Sequence, residues 1–313
     1  MKTEVVLVTG AMGCIGSWAL YHLVQQGRQA VAFDLSQDRR RLDLLMDQES
    51  QGAITFVTGD LVDPQQVRQV LQNHGATHIV HLAALQVPFC KADPVQGARV
   101  NVTGTVNIFQ AALEAGIPHL AYASSVAVYG PAEEYPQGLV GHDAPPAPRT
   151  LYGVYKVANE GSARIFWQDH GLSSVGLRPY TVYGIGRDQG LTSDPTKAML
   201  AAVRGQPFEI GFGGTMQFQL ASDVARQFID AAFEPVQGAE VYNLGTPPVS
   251  VAEVVRIIRG IEPEAQITNK GSPLPFPHGF DDSALRAYAS SVYETPLSEG
   301  ISETMEHFRR IGS

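Results

Sequence analysis

The stretch VTGAMGCIGSWAL, residues 8–20, constrains this chain more than any other. Gly10, Gly13 and Gly16 follow an apolar run and open a helix-like segment. G-x-x-G-x-x-G in that setting is the turn of a dinucleotide-binding βαβ unit. So tight a turn needs residues that tolerate positive φ, and a pyrophosphate must approach backbone that carries no β-carbon. The helix behind it offers free N–H groups and the positive end of its dipole. Cys14 and Ile15 occupy the positions between the last two glycines. Asp34 stands eighteen residues after Gly16, at the end of the next apolar run. A carboxylate there accepts the hydroxyls of a ribose and repels a 2′-phosphate, which favours NAD over NADP. Arg39, Arg40 and Arg41 follow closely and are either within reach of such a phosphate or a basic surface run.

Apolar runs at 5–9, 30–34, 54–57, 78–82, 120–124, 174–178 and 241–244 alternate with helical stretches, among them 15–26, 64–74, 95–115 and 151–170. This rhythm predicts an α/β fold, a Rossmann-type doubly wound parallel sheet with helices on both faces. The strand cores are rich in Val, Ile and Leu, as burial on both faces requires. The rhythm changes after Arg178, where 179–214 is rich in Gly, Pro, Thr and Asp around a short helix at 195–204. A second proline-rich piece lies at 270–280, while 222–233 and 241–244 return to the first pattern. The expected division is an NAD-binding domain of residues 1–178 and 218–245, and a smaller C-terminal substrate lobe of 179–217 and 246–313. A chain of 313 residues supports that much core.

Net charge of −9 argues against nucleic acid and against an anionic membrane surface. No run of 18 apolar residues marks a membrane span. The opening MKTEVVLVTG leads straight into the glycines and reads as a strand, not a signal peptide, so a cytoplasmic location is expected. Cys14 and Cys90 are the two cysteines, with neither metal-ligand spacing nor a disulfide framework. No metal is expected.

TLYGVYKVANE places Tyr152 and Lys156 four apart, on one face of a helix. A phenol with pKa of about 10 is a poor base at neutral pH, and a nearby ammonium lowers that value. Tyr152 then takes a proton from a substrate hydroxyl while hydride leaves to the cofactor. Lys156 can also hold the nicotinamide ribose. Tyr155 is the competing tyrosine. YASSVAVYG puts Ser124 and Ser125 at a strand end, where ligands of open α/β sheets bind. Ser125 can hydrogen-bond the reacting oxygen beside Tyr152.

Together, TGAMGCIG, GDLVD, HLAA, NVTGTVN, SSVAVYG, YGVYK and RPYTVYG, in this order along nearly the whole chain, resemble the extended short-chain dehydrogenase/reductase superfamily, in its NAD-dependent epimerase/dehydratase branch. The resemblance implies NAD as cofactor and Ser125, Tyr152 and Lys156 as the catalytic residues. It implies that Asp60 and Leu61 border the adenine, that Leu82, Ala83 and Ala84 line the cofactor groove, and that Asn101 supports the site and, with Ser124, borders the cofactor. Tyr180, Thr181 and Val182 then lie near the nicotinamide and substrate. The branch often dimerises through two long helices per subunit, here 95–115 and 151–170, so an isologous homodimer is expected.

Departures from that pattern bear on the reaction. Where related sugar dehydratases and decarboxylases carry acidic residues after the serine, this chain has Val126 and Ala127, which transfer no proton. Dehydration and decarboxylation are disfavoured. Where nucleotide-sugar epimerases carry an arginine that clamps the substrate diphosphate, this chain has Met216, two residues before Phe218. Losing a charged clamp hydrogen bond costs about 1.5–3 kcal/mol. Arg187, with Thr192, Ser193 and Lys197, is the alternative anion site, and Gln86, Phe89 and Lys91 border the substrate. His81 reads as a packed strand residue, His278 as a marginal substrate contact. The small-molecule substrate is expected to be sugar-like. Residue chemistry leans towards a dehydrogenase acting on a hydroxyl of a sugar or sugar-derived acid. The alternatives are an NAD-retaining nucleotide-sugar 4-epimerase and a non-catalytic NAD-binding regulator.

Overall fold

The computed structural model describes residues 4–312. The first three residues of the opening segment lie outside the described residues. Strands run β1 (Val5–Thr9), β2 (Gln29–Asp34), β3 (Ile54–Thr58), β4 (His78–His81), β5 (His119–Ala123), β6 (Ser173–Arg178), β7 (Thr181–Tyr183), β8 (Phe208–Ile210), β9 (Thr215–Met216), β10 (Phe218–Leu220), β11 (Ala239–Asn243), β12 (Val249–Ser250) and β13 (Ile267–Asn269). Helices run α1 (Cys14–Gln25), α2 (Arg40–Asp43), α3 (Gln48–Gln51), α4 (Pro64–His74), α5 (Val87–Ala92), α6 (Pro94–Ala98), α7 (Gly104–Glu114), α8 (Leu151–His170), α9 (Asp194–Val203), α10 (Ala221–Phe233), α11 (Val251–Ile261), α12 (Ser283–Tyr288) and α13 (Leu297–Arg310).

Seven strands form one parallel sheet in the order β11-β6-β5-β4-β1-β2-β3. The chain leaves β1 towards β2 and β3, then returns to place β4 on the other side of β1. The carboxyl ends of β1 and β4 diverge there, at the switch point where such sheets bind ligands. Thr9 pairs with both Phe33 and His81 across this point. One apolar core lies between the sheet and α1 with α10, centred on Val8, Leu20, Leu23, Val80 and Phe228. Another holds Leu7, Phe33, Leu71, Ile108, Phe109 and Tyr122 on the opposite face. A third core belongs to the second lobe and joins Tyr183, Met199, Phe212, Phe218, Val254, Ile258 and Met305.

Two segments pack across the expected division. Val126, Val128, Tyr129 and Val140 join the second-lobe core, because the chain after β5 crosses the cleft. Leu285 joins the core under the sheet, and Tyr288 stacks on Tyr242 of β11 at 5.0 Å. The expected helix at 95–115 is interrupted: α6 and α7 are joined by a π-helical turn at Arg99–Thr103. That turn drives Asn101 inward, fully buried, where its amide clamps Leu85 at both N–H (2.7 Å) and carbonyl (2.8 Å). Single-turn π-bulges of this kind cluster at functional sites. No helix among the described residues is long and apolar enough to cross a membrane, and among them no group of His, Cys, Asp and Glu is placed to hold a metal ion.

Candidate active site

A cleft of about 570 Å³ opens at the switch point, within the size range of small-molecule sites. Gly10, Gly13, Cys14, Ile15, Gly16, Asp34, Asp60, Leu61, Leu82, Ala83 and Ala84 all line it. The glycine turn is closed too tightly for side chains. A Cβ on Gly10, whose φ is +64°, would fall 2.7 Å from the Ala83 backbone, and one on Gly16 would fall 2.2 Å from the Gly10 carbonyl oxygen. Gly13 caps α1 without any side-chain hydrogen bond, so the first-turn N–H groups point into the cleft unpaired. Asp34 accepts from Met12 N (2.9 Å) with one oxygen and from Ser36 N (2.8 Å) with the other, leaving a lone pair on each oxygen for a diol. A glycine cradle, an uncapped helix N-terminus and this carboxylate fit a dinucleotide. The three arginines after Asp34 each have a partner: Arg39 over the Phe56 ring at 3.5 Å, Arg40 on Asp38 at 3.1 Å, Arg41 on Asp188 at 2.7 Å. Burial pushes the Cys14 thiol up to about 11, so it stays protonated beside the turn.

Ala123 of β5 lines the cleft, and Ser125, Tyr152 and Lys156 lie next to it on the following turn and on α8 rather than in its lining. Thr150 caps α8 through Gly153 N at 3.0 Å, and Tyr152, Lys156 and Glu160 follow at four-residue steps along one face. Ser125 Oγ accepts from Ala127 N at 3.1 Å and lies close enough to Tyr152 to lower its phenol. Lys156 is buried, its Nζ donating to the Ala123 carbonyl at 2.5 Å and lying 5.5 Å from the centre of the Tyr152 ring. Burial raises the Tyr152 phenol, while the Ser125 hydroxyl and the Arg187 guanidinium act downward. Arg187 thus adds a second positive charge near the phenol, besides the Lys156 ammonium behind the ring. Burial pushes Lys156 itself down to about 8, against the opposing pull of Cys90 and Glu160. Tyr155 is tied to the Pro94 carbonyl at 2.8 Å and takes no part.

That depressed value carries a stability cost. Lys156 binds its proton less tightly folded than unfolded, so the penalty is fully present below pH 8 and fades as pH rises towards 10.5. The shift corresponds to about 3 kcal/mol, against about 1.5–3 kcal/mol for the charged hydrogen bond to Ala123. Lys156→Met is expected to be as stable as the wild type or to gain up to about 1 kcal/mol at pH 7 in equilibrium unfolding, with any gap narrowing above pH 8. A less stable variant would contradict this account.

Five expected site residues lie behind the cleft. Asn101 is occupied by Leu85, as above. Ser124 donates to Glu160 Oε1 at 2.5 Å, inside a buried ion pair. Tyr180 donates to the Pro277 carbonyl at 2.9 Å and packs edge-on against Phe276 and Phe280. Thr181 is fully buried against the Met216 sulfur at 3.1 Å, and Val182 is part of the core under the sheet. β7 pairs with β10 inside the lobe junction, and Thr181 and Val182 are buried on its two faces. Of the substrate candidates, Gln86, Phe89 and Arg187 line the cleft, whereas Lys91 and His278 are exposed elsewhere. Ser193 bonds the Gly190 carbonyl at 2.9 Å and Lys197 faces Asp194 at 3.6 Å, so only Thr192 stays with Arg187, at 3.3 Å. The Arg187 Nε is buried with no hydrogen-bond partner. Met216 is buried and provides no charged clamp.

His81 is a structural residue, as expected. Thr9 Oγ1 lies 2.7 Å from its Nδ1 and Thr105 Oγ1 3.0 Å from its Nε2. Thr105 already donates to the Asn101 carbonyl, which assigns the proton to His81 Nε2. Burial and Lys156 hold this imidazole down at about 3. Residues that sequence reasoning missed include Gln96 and Val100, which line the cleft, and Glu160 with Arg178. No local pattern marks the last two, since they meet only across the sheet.

A profile of the NAD dependent epimerase/dehydratase family matches residues 6–245. The chain is 30% identical over 315 residues to a UDP-glucose 4-epimerase of Mycolicibacterium smegmatis, spanning 97% of this chain and 98% of that one. It is 33% identical over 289 residues to UDP-glucuronate 4-epimerase 6 of Arabidopsis thaliana, spanning 82% of this chain and 60% of that protein. Among solved structures, MoeE5 in complex with UDP-glucose and NAD matches with a TM-score of 0.84 at 30% identity, over 99% of this chain and 100% of that one. An L-threonine dehydrogenase of Clostridium difficile matches with a TM-score of 0.86 at 20% identity over 100% and 99% of the two chains, a likeness of fold alone.

Proposed function

The chain belongs to the NAD dependent epimerase/dehydratase family, and from that premise we propose that it is an NAD-retaining 4-epimerase of a nucleotide-linked sugar. The observation that carries this reading is an unpaired guanidinium on the cleft wall whose charge reaches the phenol. Among the described residues Arg187 has no carboxylate partner, its Nε is orphaned, and its charge acts on Tyr152. A guanidinium so placed fits an anionic group carried by the substrate, a diphosphate or a uronate carboxylate. It stands in for the clamp that Met216 cannot provide. The relatives quoted at 30% identity and above carry UDP-sugar names, which moves the balance from net dehydrogenation to epimerisation.

NAD in the cleft supplies a hydride acceptor and then a donor. Tyr152 takes the proton of the substrate hydroxyl and returns it to the same oxygen after the sugar has turned its opposite face. Ser125 holds that oxygen beside the phenol. Lys156 keeps a positive charge behind the ring and a donor for the nicotinamide ribose. Phe89 and Gln86 wall the substrate end and limit water. Asp34 selects the ribose diol, and Gly10, Gly13 and Gly16 admit the pyrophosphate. Asp34→Ala is expected to weaken NAD binding about 10–100-fold, one charged hydrogen-bonded contact, and to narrow the preference over NADP in titrations of both dinucleotides.

Val95, Leu151, Val154 and Ile165 are exposed apolar residues on α6 and α8. They suit an isologous homodimer built on these helices, and the reading places the protein in the cytoplasm. The decisive experiment incubates the purified protein with UDP-glucose and, separately, UDP-glucuronate, following isomers by NMR and NADH by absorbance. Conversion of either sugar to its 4-epimer without net NADH supports the proposal, and the arm that turns over identifies the anion at Arg187. Stoichiometric NADH without isomerisation would make the enzyme a dehydrogenase instead.

A further inference from the structure

Arg41 does more than end a basic run. It sits in α2, on the adenosine side of the cleft, and Asp188 sits on the loop after β7, on the opposite wall. The two residues are 147 positions apart. Arg41 Nε and Nη2 both donate to Asp188 Oδ1, at 2.9 and 2.7 Å. Its Nη1 donates to the carbonyl of Met12, inside the glycine turn, at 2.9 Å. One guanidinium thus binds α2, the dinucleotide turn and a loop of the second lobe together. We propose that the Arg41–Asp188 pair is a clasp across the cofactor cleft, which must open for NAD to leave and so keeps the dinucleotide in place between turnovers. The proposal rests on the family reading above and adds the residues responsible for retention.

The loop carrying Asp188 is built to swing on a fixed root. Ile185 is anchored to α1, its carbonyl accepting from Trp18 Nε1 at 2.9 Å. Gly186 follows with φ of +84°, a conformation that a side chain resists. A Cβ at that glycine would stand 3.7–3.9 Å from the Arg41 stem, so the stem packs on the loop backbone. The ion pair lies beyond these contacts, with the Asp188 side chain 45% exposed and that of Arg41 18% exposed. Its strength therefore responds to salt, as partly exposed pairs do. A clasp of this kind suits a redox-neutral isomerisation, in which the cofactor ends each cycle in the state in which it began.

The test measures NAD release from the loaded protein by rapid dilution into an NAD-scavenging enzyme, at low and high salt. Asp188→Asn preserves shape, and Arg41→Met preserves most of the stem against Gly186. Each is expected to speed release about 2–5-fold, with the double variant no faster than Arg41→Met, because both remove the Arg41–Asp188 pair and Arg41→Met also removes the bond to the Met12 carbonyl. Salt should speed release from the wild type and leave the variants unchanged. Wild-type release rates in Asp188→Asn overturn the clasp. So do multiplying effects in the double variant, which would mean that Asp188 acts independently of Arg41. A wild-type protein that binds no NAD at all would sink the family reading and the clasp with it; NAD bound and released at the same rate by all four proteins sinks the clasp alone.

Discussion

Tyr152→Phe lowers turnover by about 10²–10⁴-fold, the usual share of general acid–base catalysis, and leaves NAD binding unchanged. The phenol is the group on α8 that feels Ser125 and Arg187, and it is absent from the lining of the cleft. Removing one oxygen takes away the proton relay and little packing. The pH profile provides a second readout. Burial raises the phenol, and Arg187 with Ser125 lowers it. Activity therefore rises with pH as Tyr152 deprotonates, and Arg187→Gln moves that limb to higher pH. Single-turnover assays across pH, alongside NAD titration, check both points. Equal loss of turnover and of NAD affinity in Tyr152→Phe would mean that the ring is a structural prop.

Arg178→Met destabilises the fold by about 3–5 kcal/mol, the cost of leaving one half of a buried ion pair alone. Arg178 and Glu160 have side chains only 5% and 10% exposed. They meet in a two-pronged contact, Nε to Oε1 at 2.8 Å and Nη2 to Oε2 at 2.7 Å. The third nitrogen donates to Tyr129 Oη at 2.5 Å and to the His142 carbonyl at 2.7 Å. Without the guanidinium, Glu160 keeps only Ser124 as a donor. Equilibrium urea unfolding measures the loss. The double variant Arg178→Met/Glu160→Leu is expected to recover much of it, since no charge is then stranded. If the single variant is as stable as wild type, the pair contributes nothing to the junction of β6, α8 and the segment around Tyr129. The pair lies one turn along α8 from Lys156, so its loss also loosens the catalytic face.

The dinucleotide half of the site was legible because its chemistry is local. Gly10, Gly13 and Gly16 sit within one turn, and Asp34 ends the very next strand, so spacing alone implies the cradle and the diol acceptor. The seven sheet strands were equally legible as short apolar runs, with β1, β4, β5 and β6 buried almost throughout and the edge strands β3 and β11 partly exposed. The substrate half was not. Thr181 and Tyr180 occur in a motif that suggests contact with the ligand, yet pairing of β7 with β10 faces them into the core. Ser124 and Ser125 are adjacent and alike in sequence. Extended backbone sends one towards Glu160 and the other towards Tyr152.

By itself, then, the sequence determined the parallel sheet, the NAD cradle and the Tyr–Lys face of α8, all of which follow from periodicity and near-neighbour spacing. Tertiary structure alone decided that a second cation, Arg187, comes near the phenol, which serine is held by Glu160, and that Arg41 reaches Asp188. Those outcomes depend on contacts between residues tens to more than a hundred positions apart, where burial and the pairing of charges select the partner and no local pattern records the choice.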